Sequence, residues 1–462
     1  MPAWTTPYHL LKEEFVQRAD EGCDIPRELR EDYAALDPDQ PDRAAVERLY
    51  DALIALPEDE TLAANEPNHL EAIRALRPEG PRDLHWSPDE SELFDRLHGA
   101  WTGRCVGCAL GKPVEHMGLG RDEKGRLNGR KNIRAYLEAR NAWPLEDFFP
   151  GADAGDGRKL ICAQSQREQI GFMESDDDLR YTCIGLRVVE DHGLDFTWRE
   201  VARSWIHNLT VPQFCTAERQ AVLNYFEAGR RGELDDPALQ WIRRYRNPYR
   251  EWIGAQIRSD GFAWAAAGKP ELAAEFAHRD ACWTHERNGI YGAMFCAALQ
   301  AASFVETDPR RLVEIGLSEI PRKCRLAQAV RNCLEWVEFF DNWEACMGNV
   351  EKTFAHLHTV HTINNALICV LSLFYGQLDT TRTPAIAVAC GLDTDCNGAT
   401  VGGIAGAISG ARAFGGRLAA KLNDTLKPEI HSLPETITLT ELAKRHGKVW
   451  GAVDTLCRGP NL

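Results

Sequence analysis

The sequence lacks a long hydrophobic run, an excess of basic residues and regular strand-like alternation, and each absence excludes a class of protein. No apolar segment approaches the roughly 18 to 20 residues that a membrane-spanning helix needs. The 53 lysines and arginines are outnumbered by 69 aspartates and glutamates, which gives a net charge of −16. A protein that binds nucleic acid through its overall field should carry the opposite charge. We therefore expect neither a membrane protein nor a nucleic-acid binder.

The start of the chain and its cysteines predict a cytoplasmic location. Residues 1–6 have no basic start followed by an apolar stretch, so we expect no signal peptide. Fifteen cysteines are scattered within apolar, helix-like segments, for example at Cys183, Cys296 and Cys369. An odd number of cysteines without an export signal is typical of reduced, intracellular thiols.

Most of the negative charge lies in the first 90 residues. This segment holds 22 acidic and nine basic residues, a net charge of −13, which leaves −3 for residues 91–462. It is broken by proline-rich links, and apolar spacing predicts a helix over 44–56 with Asp42 as its cap. We predict an acidic helical N-terminal extension at 1–90 and a main domain at 91–462 that ends in a short C-terminal tail.

The remainder of the chain has the apolar spacing of helices. The predicted helices are 93–110, 179–189, 198–205, 270–278, 290–302, 327–340, 362–375 and 401–414. Only residues 436–440 alternate as a strand does, and no repeat of the solenoid kind is present. The sequence therefore predicts an all-α fold.

Glycine recurs at every fourth position in two of these predicted helices. One stripe runs from Gly99 to Gly111, and the other from Gly402 to Gly410. Glycine costs a helix about 1 kcal/mol per residue relative to alanine, so such a stripe implies a close approach to the backbone. We expect two helices to pack closely here, with a bound ligand as the alternative.

Two clusters of carboxylates come directly before apolar helices. The first is the Ser-Asp-Asp-Asp segment 175–178, and the second is 391–398, which contains Asp393 and Asp395. Helix capping explains part of this pattern, with Ser175 as the N-cap of the first helix. If the two helix starts converge, the carboxylates need cations or raised pKa values. Hard oxygen ligands suit Mg²⁺ or Mn²⁺.

Four segments, taken in order over residues 93–415, resemble a known family. Residues 107–115 carry a small-Leu-Gly-x-Pro-x-Glu pattern, and 175–178 stand where that family has Thr-Asp-Asp-Thr. Residues 253–258 with 283–285 match a small-residue run ending in Arg and a later Thr-His. Residues 391–410 match Gly-x-Asp-Thr-Asp-Thr and the glycine-rich helix after it. The chain resembles the ADP-ribosylglycohydrolases, which include the dinitrogenase-reductase-activating glycohydrolases.

This resemblance implies an all-α, large orthogonal helical bundle with a binuclear Mg²⁺ site, in which Mn²⁺ is the alternative. The ligands that it implies are Ser175, Asp176, Asp177, Asp393 and Asp395, with Cys396 completing the set. Two residues depart from the family pattern. Cys396 replaces a threonine, and a thiol is a poor ligand for Mg²⁺. Asp178 replaces the second threonine of the first motif and adds a charge.

The resemblance also indicates residues around the substrate. Glu115 should lie in a loop beyond Pro113 and is the candidate general base or gate over the metals, with a solvated loop glutamate as the alternative. Asp177 shares the catalytic role. Gly254, Arg258 and His285 are the candidate substrate contacts, and for Arg258 the alternative is a structural ion pair.

Three further patterns favour structural roles. Cys105 and Cys108 form a Cys-x-x-Cys motif without a second pair to complete a zinc site, so we expect buried thiols. The histidines at 356, 358 and 361 are expected to be satisfied or exposed, with ligand binding as the alternative. The aromatic segment 143–149 is either a lid or packing.

We therefore expect an enzyme that hydrolyses an ADP-ribosyl N- or O-glycosidic bond at the ribose anomeric carbon. Its substrate would be an ADP-ribosylated or ribosylated small molecule or protein. A nucleoside or another small pentofuranoside is the alternative substrate, because the motifs depart from the family and the segment 116–174 is long. A non-catalytic ADP-ribose-binding protein is the third interpretation, which Cys396 keeps open.

Overall fold

The computed structural model describes residues 3–414 and 416–458, and helices make up most of this part of the chain. The α-helices are α1 Pro7–Asp20, α2 Arg27–Ala34, α3 Arg43–Ile54, α4 Glu60–Asn65, α5 Leu70–Leu76, α6 Glu90–Gly111, α7 Glu115–Gly118, α8 Gly129–Glu138, α9 Asp177–His192, α10 Trp198–Asn208, α11 Thr216–Arg231, α12 Asp236–Arg244, α13 Asp260–Ala265, α14 Pro270–Ala281, α15 Asn288–Ala302, α16 Pro309–Leu317, α17 Arg325–Phe339, α18 Trp343–Thr353, α19 Thr362–Gly376, α20 Arg382–Ala389, α21 Thr394–Ser409, α22 Arg417–Lys421 and α23 Leu439–Arg458. Short 3₁₀ helices lie at Ala3–Thr5, Lys112–Val114, Ala163–Ser165, Gly193–Asp195, Val211–Gln213, Ile253–Arg258 and Ala411–Ala413. The strands β1 Thr425–Leu426 and β2 Ile437–Thr438 pair antiparallel. The prediction of an all-α fold is confirmed.

Each helix that the sequence predicts is present, with small shifts at the ends. Asp42 caps α3 as expected, accepting a hydrogen bond from the Ala44 amide at 3.0 Å. The helix expected over 401–414 instead runs from Thr394 to Ser409, because Gly410 adopts a φ of 72° that ends it. The expected strand at 436–440 shortens to β2, and its partner β1 is too short to show a periodic pattern.

The two glycine stripes face each other in the centre of the molecule. α6 and α21 run antiparallel, so Gly99 lies against Gly406, Gly103 against Gly402 and Gly107 against Gly398. A Cβ at any of these positions would overlap the carbonyl group of the facing helix. Close helix packing, rather than a bound ligand, therefore accounts for the stripes.

The N-terminal segment packs against the main body through a small apolar core and buried ion pairs. Leu11, Phe15 and Leu53 share their core with Tyr249 and Trp252. Beside this core, the buried Arg250 of the main body binds Glu14 in α1 and Glu21, which directly follows α1. Both glutamates are as buried as the arginine. Throughout the described residues, no helix combines the length and the apolar character that crossing a membrane requires.

Candidate metal centre

The first carboxylate cluster forms the start of α9, and its capping residue differs from the one predicted. Asp176, not Ser175, is the N-cap, because its extended backbone lets Oδ1 accept a hydrogen bond from the Asp178 amide at 3.1 Å. The Ser175 hydroxyl accepts a hydrogen bond from Arg180 at 2.7 Å instead. Asp176 is buried and Asp177 is half-buried, so the first turn of α9 presents both carboxylates inside the molecule.

The second cluster forms the start of α21, and its carboxylates are not used for capping. Asp393 is the N-cap residue by position, but its side chain makes no capping hydrogen bond. The Asp393 amide is held at 3.2 Å by Asn365 Oδ1, which also accepts a hydrogen bond from Asn397 at 2.8 Å. Asp393 Oδ1 is buried, and among the described residues it has no hydrogen-bond partner. Such a group is costly unless it binds a proton or a cation.

The two helix starts converge beneath the end of α6. The Thr394 hydroxyl donates a hydrogen bond to the Gly111 carbonyl at 2.9 Å, which fixes α21 against α6. Three sets of side chains then place their potential ligand atoms within 4.8 Å of one another. They are Cys108 with Asp176 and Asp178, Asp178 with Asp395 and Cys396, and Glu115 with Asp393 and Asp395.

Glu115 lies in a short helix rather than in the predicted loop. It begins α7, because the 3₁₀ turn Lys112–Val114 continues directly from α6 into the next helical turn. The charge of Asp395, burial, and the charges of Asp176 and Asp177 together raise the pKa of Glu115 to about 9. Its carboxyl group therefore holds a proton at neutral pH unless positive charge is brought nearby.

Three other carboxyl groups of the centre also have raised pKa values, whereas, despite its burial, the charge of Lys112 and the Asp178 amide hold the pKa of Asp176 below its ordinary value. Burial, followed by the charges of Asp176 and Asp395, raises the pKa of Asp177 to about 7. Burial and then the charge of Asp176 raise the pKa of Asp395 to about 6. Burial, then Asp395 and Glu115, raise the pKa of Asp393 well above its ordinary value. The centre therefore favours any cation that can offset this repulsion.

Two charged residues of the centre, Asp178 and Lys112, were not among the predicted ligands, although Asp178 belongs to the first carboxylate cluster. Asp178 is fully buried, 3.1 Å from Arg104, which in turn binds Asp260 at 2.5 Å. Lys112 Nζ lies 3.2 Å from Asp176 Oδ2 and donates a hydrogen bond to the Ser175 carbonyl. Its place inside the first family-like motif, 107–115, is the feature of the sequence that could have assigned Lys112 to the centre.

The match to the ADP-ribosylglycohydrolase family model covers residues 89–449. The chain belongs to the ADP-ribosylglycohydrolase family. Its all-α architecture is that of the family, and family membership supports a glycohydrolase activity. Among curated proteins, none matches the sequence. The solved structure of an "ADP-ribosylglycohydrolase-related protein complex" is 18% identical, with a TM-score of 0.49, and the match covers 79% of this chain and 99% of that chain.

Arg258, a substrate contact by resemblance to the ADP-ribosylglycohydrolases, is enclosed in this chain. Its guanidinium is fully buried, pairs with Glu218 and with Asp280 at 2.5 Å, and donates to Thr284 Oγ1 at 2.8 Å. The structural ion pair, which was the alternative, is what the structure shows. Each nitrogen of the Arg258 guanidinium already has an acceptor within the chain.

His285 and Gly254 lie beside this ion pair. His285 is fully buried, with Nδ1 2.7 Å from the Thr284 hydroxyl and Nε2 3.8 Å from Glu218. Burial and then the charge of Arg258 hold the pKa of His285 well below its ordinary value, so the ring is neutral. Gly254 is half-buried, and a Cβ there would lie 3.0 Å from the Glu218 carboxyl carbon. Of the three predicted substrate contacts, only Gly254 retains exposed surface.

The segment 283–292, which contains the family-like Thr-His, contacts the N-terminal segment here. Arg287 pairs with Glu58, and its amide donates a hydrogen bond to Asn68 Oδ1 at 2.7 Å. Asn288 donates hydrogen bonds to Glu66 at 3.0 Å and to Glu251 at 2.8 Å. The unusual density of polar residues in this segment therefore reflects docking of residues 1–90 as well as the structure around His285.

The weaker patterns have mainly structural roles. Cys105 is buried, whereas Cys108 Sγ lies 3.9 Å from Asp178 Oδ2 and so borders the centre. His358 stacks on Trp252 with ring centroids 4.1 Å apart, and His361 caps α19. His356 is exposed. In the aromatic segment 143–149, Phe148 and Phe149 are fully buried, which favours packing for that part.

Proposed function

We propose that this chain is a cation-dependent hydrolase of ADP-ribosyl N- or O-glycosidic bonds, acting at the ribose anomeric carbon. The observation that carries the proposal is the convergence of the α9 and α21 starts, which gathers carboxylates around the unpartnered Asp393 Oδ1. Family membership supports the glycohydrolase class. The choice of an ADP-ribosyl bond rests on the resemblance of the motifs to those of the family.

The side chains at the α21 start suit a divalent cation. Oxygens of Glu115, Asp393 and Asp395 lie within 4.8 Å of one another, a spacing that fits ligands about 2.0 to 2.6 Å from one ion. The resemblance implies two Mg²⁺ ions, with Mn²⁺ as the alternative, and adds Ser175, Asp176, Asp177 and Cys396 to the ligands. Bound ions would orient the ribose hydroxyls and lower the pKa of the attacking water.

The residues around such a site have distinct tasks. Glu115 lies at the exposed side of the cluster and is half-buried, so its carboxylate is placed to accept a proton from water or to gate access. Asp177 is also half-buried and accepts a hydrogen bond from the Cys215 thiol. Its negative charge would stabilise the positive charge that develops on the ribose ring.

The test is hydrolysis of an ADP-ribosylated peptide by wild type, Asp177→Asn and Asp393→Asn. Both substitutions should abolish release of ADP-ribose while far-UV circular dichroism stays unchanged. EDTA should likewise abolish release of ADP-ribose by wild type. The exposed Asp39→Asn is the matched control and should keep full activity. Full activity of either site variant, or of wild type in EDTA, would refute the proposal.

The alternative substrate is a nucleoside or another small pentofuranoside, which the departures at Cys396 and Asp178 favour. Competition between an ADP-ribosylated peptide and a nucleoside in one assay separates the two. Tight ADP-ribose binding without turnover, at any Mg²⁺ or Mn²⁺ concentration, would instead indicate a binding protein.

A further inference from the structure

Lys112 brings a positive charge among the residues that the family resemblance assigns to metal ions. Its Nζ lies 3.2 Å from Asp176 Oδ2 and 3.9 Å from Glu174, and it donates a hydrogen bond to the Ser175 carbonyl. The side chain is only 11% exposed, so water screens this charge weakly. The ammonium therefore contacts two of the six predicted ligands, Ser175 and Asp176.

Both oxygens of the Asp176 carboxylate already have partners within the chain. Its Oδ1 accepts the hydrogen bond from the Asp178 amide, and its Oδ2 faces Lys112. A divalent cation bound here would have to lie beside the ammonium, which repels it. The charge of Asp176 is therefore already balanced by a side chain of the protein.

The opposite side of the centre has no ion pair of this kind among the described residues. Within the described residues, no ion pair joins Glu115, Asp393 or Asp395 to a basic side chain, and Asp393 Oδ1 is buried without a partner. Three carboxyl groups packed this closely require a counter-charge if they are to ionise together.

We propose that the centre binds a single divalent cation, at Glu115, Asp393 and Asp395, and that the Lys112 ammonium takes the place of the second ion. This inference rests on the proposed function, because that function supplies the cation. It differs from the two ions that the resemblance implies, and it makes Lys112 a fixed part of the centre rather than a solvated surface lysine.

The experiment counts Mn²⁺ ions bound to the full chain, by isothermal titration calorimetry and by the electron paramagnetic resonance signal of free Mn²⁺. Wild type should bind one ion. Lys112→Met, which keeps the length of the side chain and removes its charge, should bind two. Lys269→Met is the matched control, because Lys269 is another buried lysine in an ion pair, 2.8 Å from Asp454, and it should bind one.

Two ions in wild type, or one ion in folded Lys112→Met, would overturn the inference and leave the proposed function standing. No bound ion in wild type would remove the cation from the proposed function as well. If Lys112→Met does not fold, Asp176→Asn and Asp393→Asn decide. The first should keep the single ion and the second should lose it, and loss of the ion in Asp176→Asn would overturn the inference.

Discussion

Replacing Gly103 with alanine measures how closely α6 and α21 must approach to form the centre. A Cβ at Gly103 would overlap the Gly402 carbonyl oxygen, and it would lie 2.8 Å from the Gly402 carbonyl carbon and 3.2 Å from Phe414. The obstructing atoms belong to the main chain of a helix, so they cannot move aside as a flexible side chain would. Overpacking of this kind costs about 1 to 3 kcal/mol, and the rigid contact places Gly103→Ala near the upper value.

The intrinsic helix propensity of alanine acts in the opposite direction. It favours alanine over glycine by about 1 kcal/mol, so the net destabilisation should be about 2 kcal/mol. Gly451→Ala in α23 is the matched control, because a Cβ there would meet nothing within 4 Å. This control should be more stable than wild type by up to about 1 kcal/mol.

The assay is urea unfolding of wild type, Gly103→Ala and Gly451→Ala, followed by tryptophan fluorescence and by far-UV circular dichroism. The two variants should differ by about 3 kcal/mol in the free energy of unfolding, with opposite signs relative to wild type. Mn²⁺ affinity should also fall in Gly103→Ala, because α6 and α21 position Glu115 and Asp393. A Gly103→Ala protein as stable as Gly451→Ala would refute the packing argument.

Three further predictions concern pH, docking and metal choice. His446 accepts a hydrogen bond from Trp101 at 3.1 Å and donates one to the Gly261 carbonyl at 3.0 Å, and burial lowers its pKa to about 4. As the pH falls below about 6.5, the unfolded chain takes up this proton before the folded chain does. The free energy of unfolding should therefore drop by about 3 kcal/mol between pH 6.5 and 4. Urea unfolding at the two pH values should show a smaller drop for His446→Gln, and an equal drop would contradict this. Glu66→Gln breaks the ion pair of the buried Glu66 with Arg325, 2.7 Å away, and should lower the free energy of unfolding by about 3 kcal/mol. It should also speed proteolysis of the N-terminal segment, whereas Glu60→Gln, at an exposed position, should do neither. Cys396→Thr removes a sulfur near Asp178 and Asp395, so it should weaken Cd²⁺ binding relative to Mg²⁺ in competition titrations; an unchanged ratio would show that the thiol is not a ligand.

Local patterns in the sequence predicted the helices and the two carboxylate clusters, because both depend on near neighbours. Apolar periodicity placed α19 within one residue of its observed end. The four-residue glycine spacing predicted close helix packing, since few other causes favour repeated glycine inside a helix. The capping residue of α9 was predicted one position early, because adjacent serine and aspartate both cap well and the backbone angle decides between them.

Long-range contacts decided the rest, and spacing alone could not predict them. Arg258 in a family-like motif could bind an anion or a carboxylate of its own chain, and only folding brings Glu218 and Asp280 to it. Asn288 similarly finds Glu66 more than 200 positions earlier. Lys112 follows a glycine-rich helix, where a lysine is ordinarily exposed, and the 3₁₀ turn that directs it toward Asp176 has no clear sequence pattern.

The division of charge along the chain has a different meaning once these contacts are known. Residues 1–90 carry a charge of −13 and residues 91–462 a charge of −3. Some of the acidic residues in the first segment are not solvated, because Glu14, Glu21 and Glu66 are buried against Arg250 and Arg325 of the main body. These two arginines are included in the nearly neutral sum for residues 91–462, although they pair with glutamates of the N-terminal segment. In the opposite direction, Arg77 and Arg82 of the first segment pair with Glu319 of the main body, so neither charge sum describes its part of the chain in isolation.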